Sequence, residues 1–125
     1  LVKNKDTLLY DKFEFKCCVG KNGLSYNKKE GDKKTPKGTY ALGPVYYRSD
    51  RLSKFKTKLK IIKIKNNMSW CDDVNSKFYN KLININKKIK HEKLYRKSTN
   101  YDLLIPIEYN MVKPKKIKVV LYFYT

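Results

Sequence analysis

The sequence predicts a mostly β domain of about six or seven short strands, with one or two short helices. Three observations support this fold class. Short runs rich in Val, Ile, Tyr and Phe recur along the chain, residues 82–85 show the period-two alternation of a strand, and clusters of Gly, Pro and Asn separate these runs. The chain has 125 residues, of which 41% are hydrophobic, so we expect residues 1–125 to form a single domain with a modest core.

The first half of the chain contains a predicted hairpin and one further strand. Residues 7–10 and 13–19 are strands on either side of a tight turn, and residues 20–23 (Gly-Lys-Asn-Gly) form a second turn. Residues 38–42 are predicted as a strand that Gly-Pro ends, and residues 45–48 continue it beyond that break.

Apolar runs define the predicted strands of the second half. Residues 59–64 are rich in β-branched side chains, and residues 103–107 form a buried strand whose proline requires an edge or a bulge. Residues 118–124 are apolar and aromatic. A short helix is expected at either residues 75–80 or residues 91–97, and the sequence leaves this choice open.

Lysine dominates the charge of the chain. The net charge of +19 results from 30 basic and 11 acidic residues, but only Arg48, Arg51 and Arg96 are arginines. Arginine offers the bidentate hydrogen bonds that specific phosphate and base recognition favours. Asn, Ile and Tyr are also abundant, and their codons are A/T-rich like those of Lys, which indicates a compositional bias of the genome. A solvated lysine surface is therefore favoured over nucleic-acid binding.

The cysteines and the histidine offer neither a disulfide framework nor a metal site. Cys17 and Cys18 are adjacent, which strains a mutual disulfide, and Cys71 is the only other cysteine. In the predicted strand, one of the adjacent pair faces inward and the other outward, so packing is their expected role. With His91 as the single histidine and no Cys-x-x-Cys pair, we expect no metal and no cofactor.

The most distinctive segment is residues 30–40, Glu-Gly-Asp-Lys-Lys-Thr-Pro-Lys-Gly-Thr-Tyr. Gly31 and Gly38 tolerate a positive φ, Pro36 fixes its own φ, and Asp32 and Thr35 can hold backbone groups of a tight turn. An ordinary surface loop would explain any one of these residues. The whole string is more specific, and it resembles the signature loop of the L,D-transpeptidase (YkuD-type) family, the cysteine enzymes of bacterial peptidoglycan cross-linking.

Three further segments follow in the order found in one branch of that family. Residues 43–51 (Gly-Pro-Val-Tyr-Tyr-Arg-Ser-Asp-Arg) resemble the segment after the signature loop. Residues 70–73 (Trp-Cys-Asp-Asp) with Tyr79-Asn80 are similar to a second element of the branch. Residues 91–96 (His-Glu-Lys-Leu-Tyr-Arg) with Tyr101-Asp102 are similar to a third. These segments in this order are more specific than the signature loop alone.

Six residues of the last two segments are candidates for lining a groove or for structural support: Trp70, Asp72, Asp73, His91, Glu92 and Arg96. Trp70 is expected in the core. Asp72 and Asp73 either pair with lysines or cap a helix at Val74.

His91 and Cys71 carry the remaining chemical hypotheses. His91 is either a general base or part of a structural cluster with Glu92 and Arg96, and a lone histidine favours the structural role. Cys71 lies beside two carboxylates, which disfavour a thiolate, so packing is expected for it rather than nucleophilic attack.

The resemblance spans roughly residues 13–117 and implies a β-sandwich that transfers acyl groups between peptidoglycan stem peptides in the periplasm or cell wall. In the family a Cys thiolate attacks the donor peptide, a His acts as base, and an amine of a second stem peptide resolves the thioester. Both residues belong downstream of the strand that corresponds to residues 118–124, beyond Thr125. We therefore assign no catalytic residue, and we expect the chain to be C-terminally incomplete and inactive as given. The alternative is a lysine-rich binding module for nucleic acid or an anionic cell-wall polymer.

Residues 118–125 depart from the family's strand, which reads roughly Gly-Ser-Ala-Ile-Phe-Leu-His. They are compatible with the codons AAG GTA GTG CTA TAT TTT TAC ACN, and the third base of the first codon starts a frame that encodes the family string. This predicts a frameshift at about residues 116–118. We also expect neither a signal peptide in this chain nor a membrane span, which requires roughly 18 apolar residues.

Overall fold

The computed structural model describes Val2 and residues 6–110, and the predicted strand at 118–124 lies outside these residues. The described chain is mostly β, as expected, and it divides into two compact units at Thr39–Tyr40. Each unit is described by itself below.

The first unit opens with an antiparallel hairpin of β1 (Thr7–Tyr10) and β2 (Phe13–Lys16). The tight turn predicted between the strands is present, and Asp11 takes a φ of 54° in it. β2 ends at Lys16 rather than at residue 19, because the backbone N–H of Cys17 makes the last rung to the carbonyl of Asp6 at 2.8 Å. Cys17 and Cys18 therefore follow the strand, and their predicted place within it is wrong.

A short parallel pair completes the first unit. β3 (Leu24–Ser25) pairs with β4 (Thr35–Pro36), and residues 26–34 connect them. The predicted turn at residues 20–23 is confirmed, because the Gly23 N–H donates to the Gly20 carbonyl at 2.7 Å. The signature loop thus contains β4, and its first five residues belong to the connection between the two paired strands.

The second unit contains two three-stranded sheets among its described residues. In one, β5 (Val45–Tyr47) lies between β6 (Ile61–Lys63), which is parallel to it, and β10 (Leu103–Leu104), which is antiparallel. In the other, β7 (Met68–Cys71) is central and antiparallel to both β8 (Leu82–Asn84) and β9 (His91–Lys93).

Side chains from both sheets form the core of the second unit. Trp70 is buried on β7 as predicted, and the Tyr46 ring on β5 meets its indole edge-to-face at 6.3 Å. Full burial of a large apolar side chain stabilises a fold by about 1.5–3 kcal/mol, so this cluster is a main source of stability. Its buried members are Tyr46, Ile64, Trp70, Leu94, Tyr101 and Leu104.

Two further predictions of secondary structure are wrong. Residues 38–42 form no strand, and Leu42 makes only a single bridge, to Ile107. Neither expected helix forms, because residues 75–80 make separate turns and residues 91–93 pair with β7 as strand β9, which requires an extended backbone. The one helical element among the described residues is a 3₁₀ turn at Thr99–Tyr101.

Candidate functional site

Asp32 organises the signature loop. Its Oδ1 accepts hydrogen bonds from Lys28 Nζ at 2.7 Å and the Lys34 N–H at 2.8 Å, and its Oδ2 accepts from the Lys29 N–H at 2.6 Å. Partial burial alone would raise the pKa of this carboxyl, but the Lys28 ammonium and the two backbone N–H groups outweigh it and lower the pKa to about 2. The charged carboxylate therefore holds the loop in shape at neutral pH.

The other signature residues support the same loop. Gly31 has a φ of 75°, which a side chain would strain, and the next residue but one, Lys33, also has a positive φ of 55°. Thr35 and Pro36 are buried in β4, and Thr35 Oγ1 accepts from the Gly20 N–H at 2.8 Å. Gly38 follows β4 and is exposed. The motif is accordingly a structural unit in this chain.

Arg48 is the centre of a polar cluster in the second unit. The side chain is buried, and its Nε and Nη2 donate to the two carboxylate oxygens of Asp50 at 2.8 and 2.7 Å. Its Nη1 donates to the Arg96 carbonyl at 2.6 Å, and the ring of Tyr95 covers the guanidinium at 3.6 Å. The hydrogen bonds from Arg48 lower the pKa of Asp50 to about 2, and Asp50 in turn raises the pKa of Arg48.

Arg51 and Arg96 complete this arginine cluster, which we define as Arg48, Asp50, Arg51, Tyr95, Arg96 and Asp102. Arg51 Nη1 donates to Asp102 Oδ1 at 2.7 Å, and its Nη2 donates to the carbonyls of Arg96 and Lys97. Arg96 donates to the Lys93 carbonyl at 2.8 Å and to Glu92 Oε1 at 3.2 Å. Two of the resembling segments, residues 43–51 and 91–102, are thereby bonded to each other.

Trp70 and Asn80 join the two halves of the remaining segment. The Trp70 indole N–H donates to Asn80 Oδ1 at 3.0 Å, and both residues are buried. Asn80 has a φ of 59°, a conformation that Asn tolerates better than most residues, and its Nδ2 lies 3.3 and 3.1 Å from the carbonyls of Tyr109 and Asn110. Asn80 therefore fixes the chain where it returns to the core.

Asp72 and Asp73 lie just after β7 and do not cap a helix. Asp73 Oδ1 accepts from the Asn75 N–H at 3.0 Å, which makes an Asx turn in place of the expected helix at Val74. Asp72 Oδ2 is 3.9 Å from the exposed ammonium of Lys90, so the predicted pairing with a lysine exists but is long and weak.

His91 lies directly across from Cys71 in the pairing of β9 with β7. Cross-strand partners place their side chains on the same face of the sheet, with Cβ atoms about 4.5–5.5 Å apart. The Cys71 side chain is fully buried, however. His91 Nδ1 lies 2.6 Å from the backbone carbonyl of Ile89, and this contact orients the imidazole ring. The pair has the residue types of a Cys–His dyad but no exposed thiol for a substrate to reach, so packing explains Cys71.

Cys17 of the first unit is not an activated thiol. Burial, the neighbouring Cys18 and the Asp6 carboxylate raise the pKa of Cys17, which disfavours the thiolate. Within the part of the chain that the structure describes, no three His, Cys, Asp or Glu side chains are arranged to hold a metal ion. None of its helices is long or apolar enough to cross a membrane.

The roles of Arg48, Asp50 and Asn80 were not predicted from the sequence. An Arg-x-Asp spacing is a weak signal for the bidentate pair, because only the fold brings in the Arg96 carbonyl and the Tyr95 ring from 47 or 48 residues away. One of the two predictions for His91 was a structural cluster with Glu92 and Arg96. Glu92 and Arg96 do pair, but His91 contacts the Ile89 carbonyl and no hydrogen bond joins it to either of them in the structure.

Comparison with known proteins identifies no relative. No family model matches the chain, and neither the curated proteins nor the solved structures contain a significant match.

Proposed function

We propose that this chain is part of an L,D-transpeptidase-family domain that acts in peptidoglycan cross-linking. The observation that supports it is the order of four motif segments, in which the polar residues of each segment bond within it or to another one. Arg48 and Arg51 bond to residues 96–102, Trp70 bonds to Asn80, and Asp32 holds the signature loop. A chance match to a loop motif would not be expected to coincide with the contacts that support the fold.

In this proposal the two units belong to a β-sandwich-like catalytic domain, and the motif residues are its framework. Trp70, Glu92 and Arg96 give structural support, while the half-buried Asp72, Asp73 and His91 are the residues of this chain that can face a stem peptide. The partner is the peptidoglycan stem peptide, and the proposed location is the periplasm or cell wall.

The family's reaction requires two groups that this proposal places beyond Thr125. The His removes the proton of the Cys thiol, the thiolate attacks the carbonyl of the donor stem peptide, the amide bond breaks as the His gives that proton to the leaving amine, and a thioester forms. The amine of the acceptor peptide then attacks the thioester, a new amide bond forms, and the thiol is released. Cys71 cannot take the first role in the folded chain because its side chain is buried.

The coding DNA provides the direct test. We expect the frame that starts at the third base of the Lys118 codon to encode a strand ending in His and then a Gly-Cys motif. The chain extended in that frame should form a stoichiometric carbapenem adduct in intact-mass spectrometry, and Cys→Ser at the new cysteine should abolish it. The 125-residue chain and its Cys71→Ser variant should form none.

Three results would contradict the proposal. Stop codons crowded just after the shift would contradict the frameshift hypothesis. An extended chain that is folded by circular dichroism but is never acylated would contradict the proposed activity. An adduct on Cys71 in the 125-residue chain would show that the nucleophile had been placed wrongly.

A further inference from the structure

Three aromatic side chains form an exposed strip on the hairpin of the first unit. Leu8 lies directly across from Phe15 and Tyr10 directly across from Phe13, so these four side chains share one face of the β1–β2 sheet. Tyr10 is 73% exposed, Phe13 54% and Phe15 51%, whereas Leu8 is half-buried. We call Tyr10, Phe13 and Phe15 the aromatic strip.

Fold stability does not account for the aromatic strip. Aromatic cross-strand pairs stabilise a sheet when their rings pack against each other or enter a core. The rings of Phe13 and Phe15 are 6.4 Å apart and tilted by 39°, and each keeps about half of its surface in contact with solvent. Every residue of β2 is exposed. Exposed apolar side chains that adjoin each other, rather than lying singly, are typical of a binding surface.

The charge of this region limits the chemistry of the ligand. Residues 1–19 contain four lysines and three carboxylates, a formal charge of +1, although the whole chain has a net charge of +19. The excess of lysine that would attract a polyanion or an anionic membrane therefore lies in the rest of the sequence. The strip is suited to an uncharged ligand.

The size of the strip argues against a second protein molecule as the ligand. A fully buried aromatic side chain removes about 150–250 Å² from solvent, so the exposed parts of these three rings offer on the order of 350 Å². A stable protein interface buries about 800 Å² on each partner. A second copy of this chain would also bring another charge of +19 close to the first.

A chain of β-linked pyranoses has the complementary shape and chemistry. In the chair form of such a sugar, the hydroxyl groups point outward from the ring and axial C–H groups cover its flat faces. These polarised C–H groups are attracted to the negative π face of an aromatic ring. Because β links keep the chain extended, successive sugars can stack on aromatic rings that follow one face of a sheet.

We propose that the aromatic strip binds a neutral, extended β-linked glycan by stacking of its sugar rings on Tyr10, Phe13 and Phe15. Chains of glucose and chains of N-acetylglucosamine present the same stacking face. This proposal does not rest on the L,D-transpeptidase proposal, because no residue of the strip belongs to a motif segment and the ligand is not the stem peptide.

Isothermal titration calorimetry with the full 125-residue chain measures the affinity for cellopentaose, chitopentaose and the α-linked maltopentaose. We expect binding of at least one β-linked pentaose and weaker binding of maltopentaose, because α links coil the chain. The more tightly bound of the two β-linked chains identifies the sugar. Saturation-transfer NMR should show the strongest transfer from the protein to the axial C–H protons of the bound sugar.

Variants of the two phenylalanines test the stacking. Phe13→Leu and Phe15→Leu keep an apolar side chain but remove the π face, and each should weaken binding by about fivefold. Phe13→Tyr and Phe15→Tyr keep the ring and should bind like the unmodified chain. The matched control is Tyr26→Leu, at a ring that is 71% exposed in the same unit but lies outside the hairpin. The NMR contacts of the unmodified chain test the proposal even if a leucine variant fails to fold.

Three outcomes would overturn the proposal. Absence of binding to both β-linked pentaoses at millimolar concentration would leave the strip without a glycan ligand. Folded leucine variants that bind as tightly as Tyr26→Leu would place the glycan elsewhere on the chain. Self-association of the unmodified chain in light scattering, abolished by the leucine variants, would identify the strip as a contact between copies.

Discussion

At the scale of single residues, the chain uses its few strong hydrogen-bonding groups for architecture. Arg48 satisfies a carboxylate, a carbonyl and an aromatic ring at once, and Asp32 accepts three hydrogen bonds in one loop. Both side chains are charged, and both lie where neutral residues could not make the same bonds. These two residues therefore give the clearest tests of how the motif segments hold the fold.

Asp32 should contribute stability that depends on pH. Its folded pKa of about 2 is below the value of roughly 3.9 for an unfolded Asp, so the contribution is complete above pH ~4 and is lost as the pH falls towards 2. Part of the site is solvated, so we expect on the order of 1–2 kcal/mol at neutral pH. Asp32→Asn should lose this stability at pH 7. The free energy of unfolding, measured with urea, should then decrease less between about pH 4 and pH 2 than it does in the unmodified chain.

The control for Asp32 is Asp11→Asn in the hairpin turn of the same unit. Asp11 is exposed and takes a positive φ that Asn also tolerates. If the free energy of unfolding of the two variants has the same dependence on pH in the acid range, the hydrogen bonds of Asp32 do not stabilise the fold.

Arg48→Lys should be destabilising although it keeps the charge. A lysine cannot bridge both oxygens of Asp50 and reach the Arg96 carbonyl at the same time, so hydrogen bonds to the charged Asp50 carboxylate are lost, while Arg51 still donates to the Arg96 carbonyl. We expect a loss of about 1–3 kcal/mol in urea unfolding. Arg96→Lys, at a more exposed guanidinium, should cost less than about 1 kcal/mol, and a larger cost there than at Arg48 would contradict this assignment.

At the scale of elements, the second unit depends on how its turns return the chain to β7. Asn80 combines a left-handed backbone with a side chain that accepts from the Trp70 indole. Asn80→Gly keeps the backbone conformation and removes only the side-chain bonds, whereas Asn80→Ala removes the bonds and also strains the backbone.

The two variants of Asn80 should therefore differ in a defined order. Leaving the buried indole N–H without a partner costs about 1–3 kcal/mol, and the left-handed conformation costs an alanine about 1–2 kcal/mol more. Urea unfolding followed by the fluorescence of Trp70, the single tryptophan, measures both. An alanine variant as stable as the glycine variant would mean that the turn relaxes and does not hold the strand.

Strand prediction from the sequence succeeded where β-branched and aromatic runs were present. β1, β2, β5, β6, β8 and β10 lie within predicted runs, and each is shorter than or as long as expected. β7 was missed because Met-Ser-Trp-Cys has no β-branched residue, and β9 was missed because His-Glu-Lys is polar. Both strands form because they pair with each other and because Trp70 and Leu94 enter the core, which are tertiary effects that local propensity does not contain.

In the candidate site, too, features set by nearby residues were predictable from the sequence, and features set by distant residues were not. Burial of Trp70 followed from residue type. The Glu92–Arg96 pair was expected only as part of a cluster with His91, and the structure contains the pair without His91. The arginine cluster was not predicted, because its partners are separated by up to 51 residues in the chain. The position of His91 opposite Cys71 likewise depends on the register of two strands, which the sequence does not specify when one of them is unrecognised.

At the scale of the whole molecule, charge is the dominant property. A net charge of +19 on 125 residues attracts any polyanion at low ionic strength, whatever the proposed enzymatic role. The distribution of the two cationic residue types limits what this attraction can recognise. The arginine side chains donate hydrogen bonds to groups of their own chain, and the exposed lysines produce the positive electrostatic potential at the surface.

Binding to double-stranded DNA should therefore be weak and insensitive to sequence. Base recognition in the major groove relies mainly on bidentate arginine, and the three arginines already donate to carboxylates and carbonyls of their own chain. The remaining attraction arises from counterion release, with a slope of log K against log salt of roughly −0.9 for each phosphate neutralised. Titration of labelled duplexes with unrelated sequences should give equal affinities that decline together between low and physiological salt.

Arg51→Lys, which alters an arginine without changing the charge, should leave those affinities unchanged. A duplex bound selectively at physiological salt, with a loss of that selectivity in Arg51→Lys, would mean that the arginine cluster opens to recognise bases and that its role in the fold is secondary.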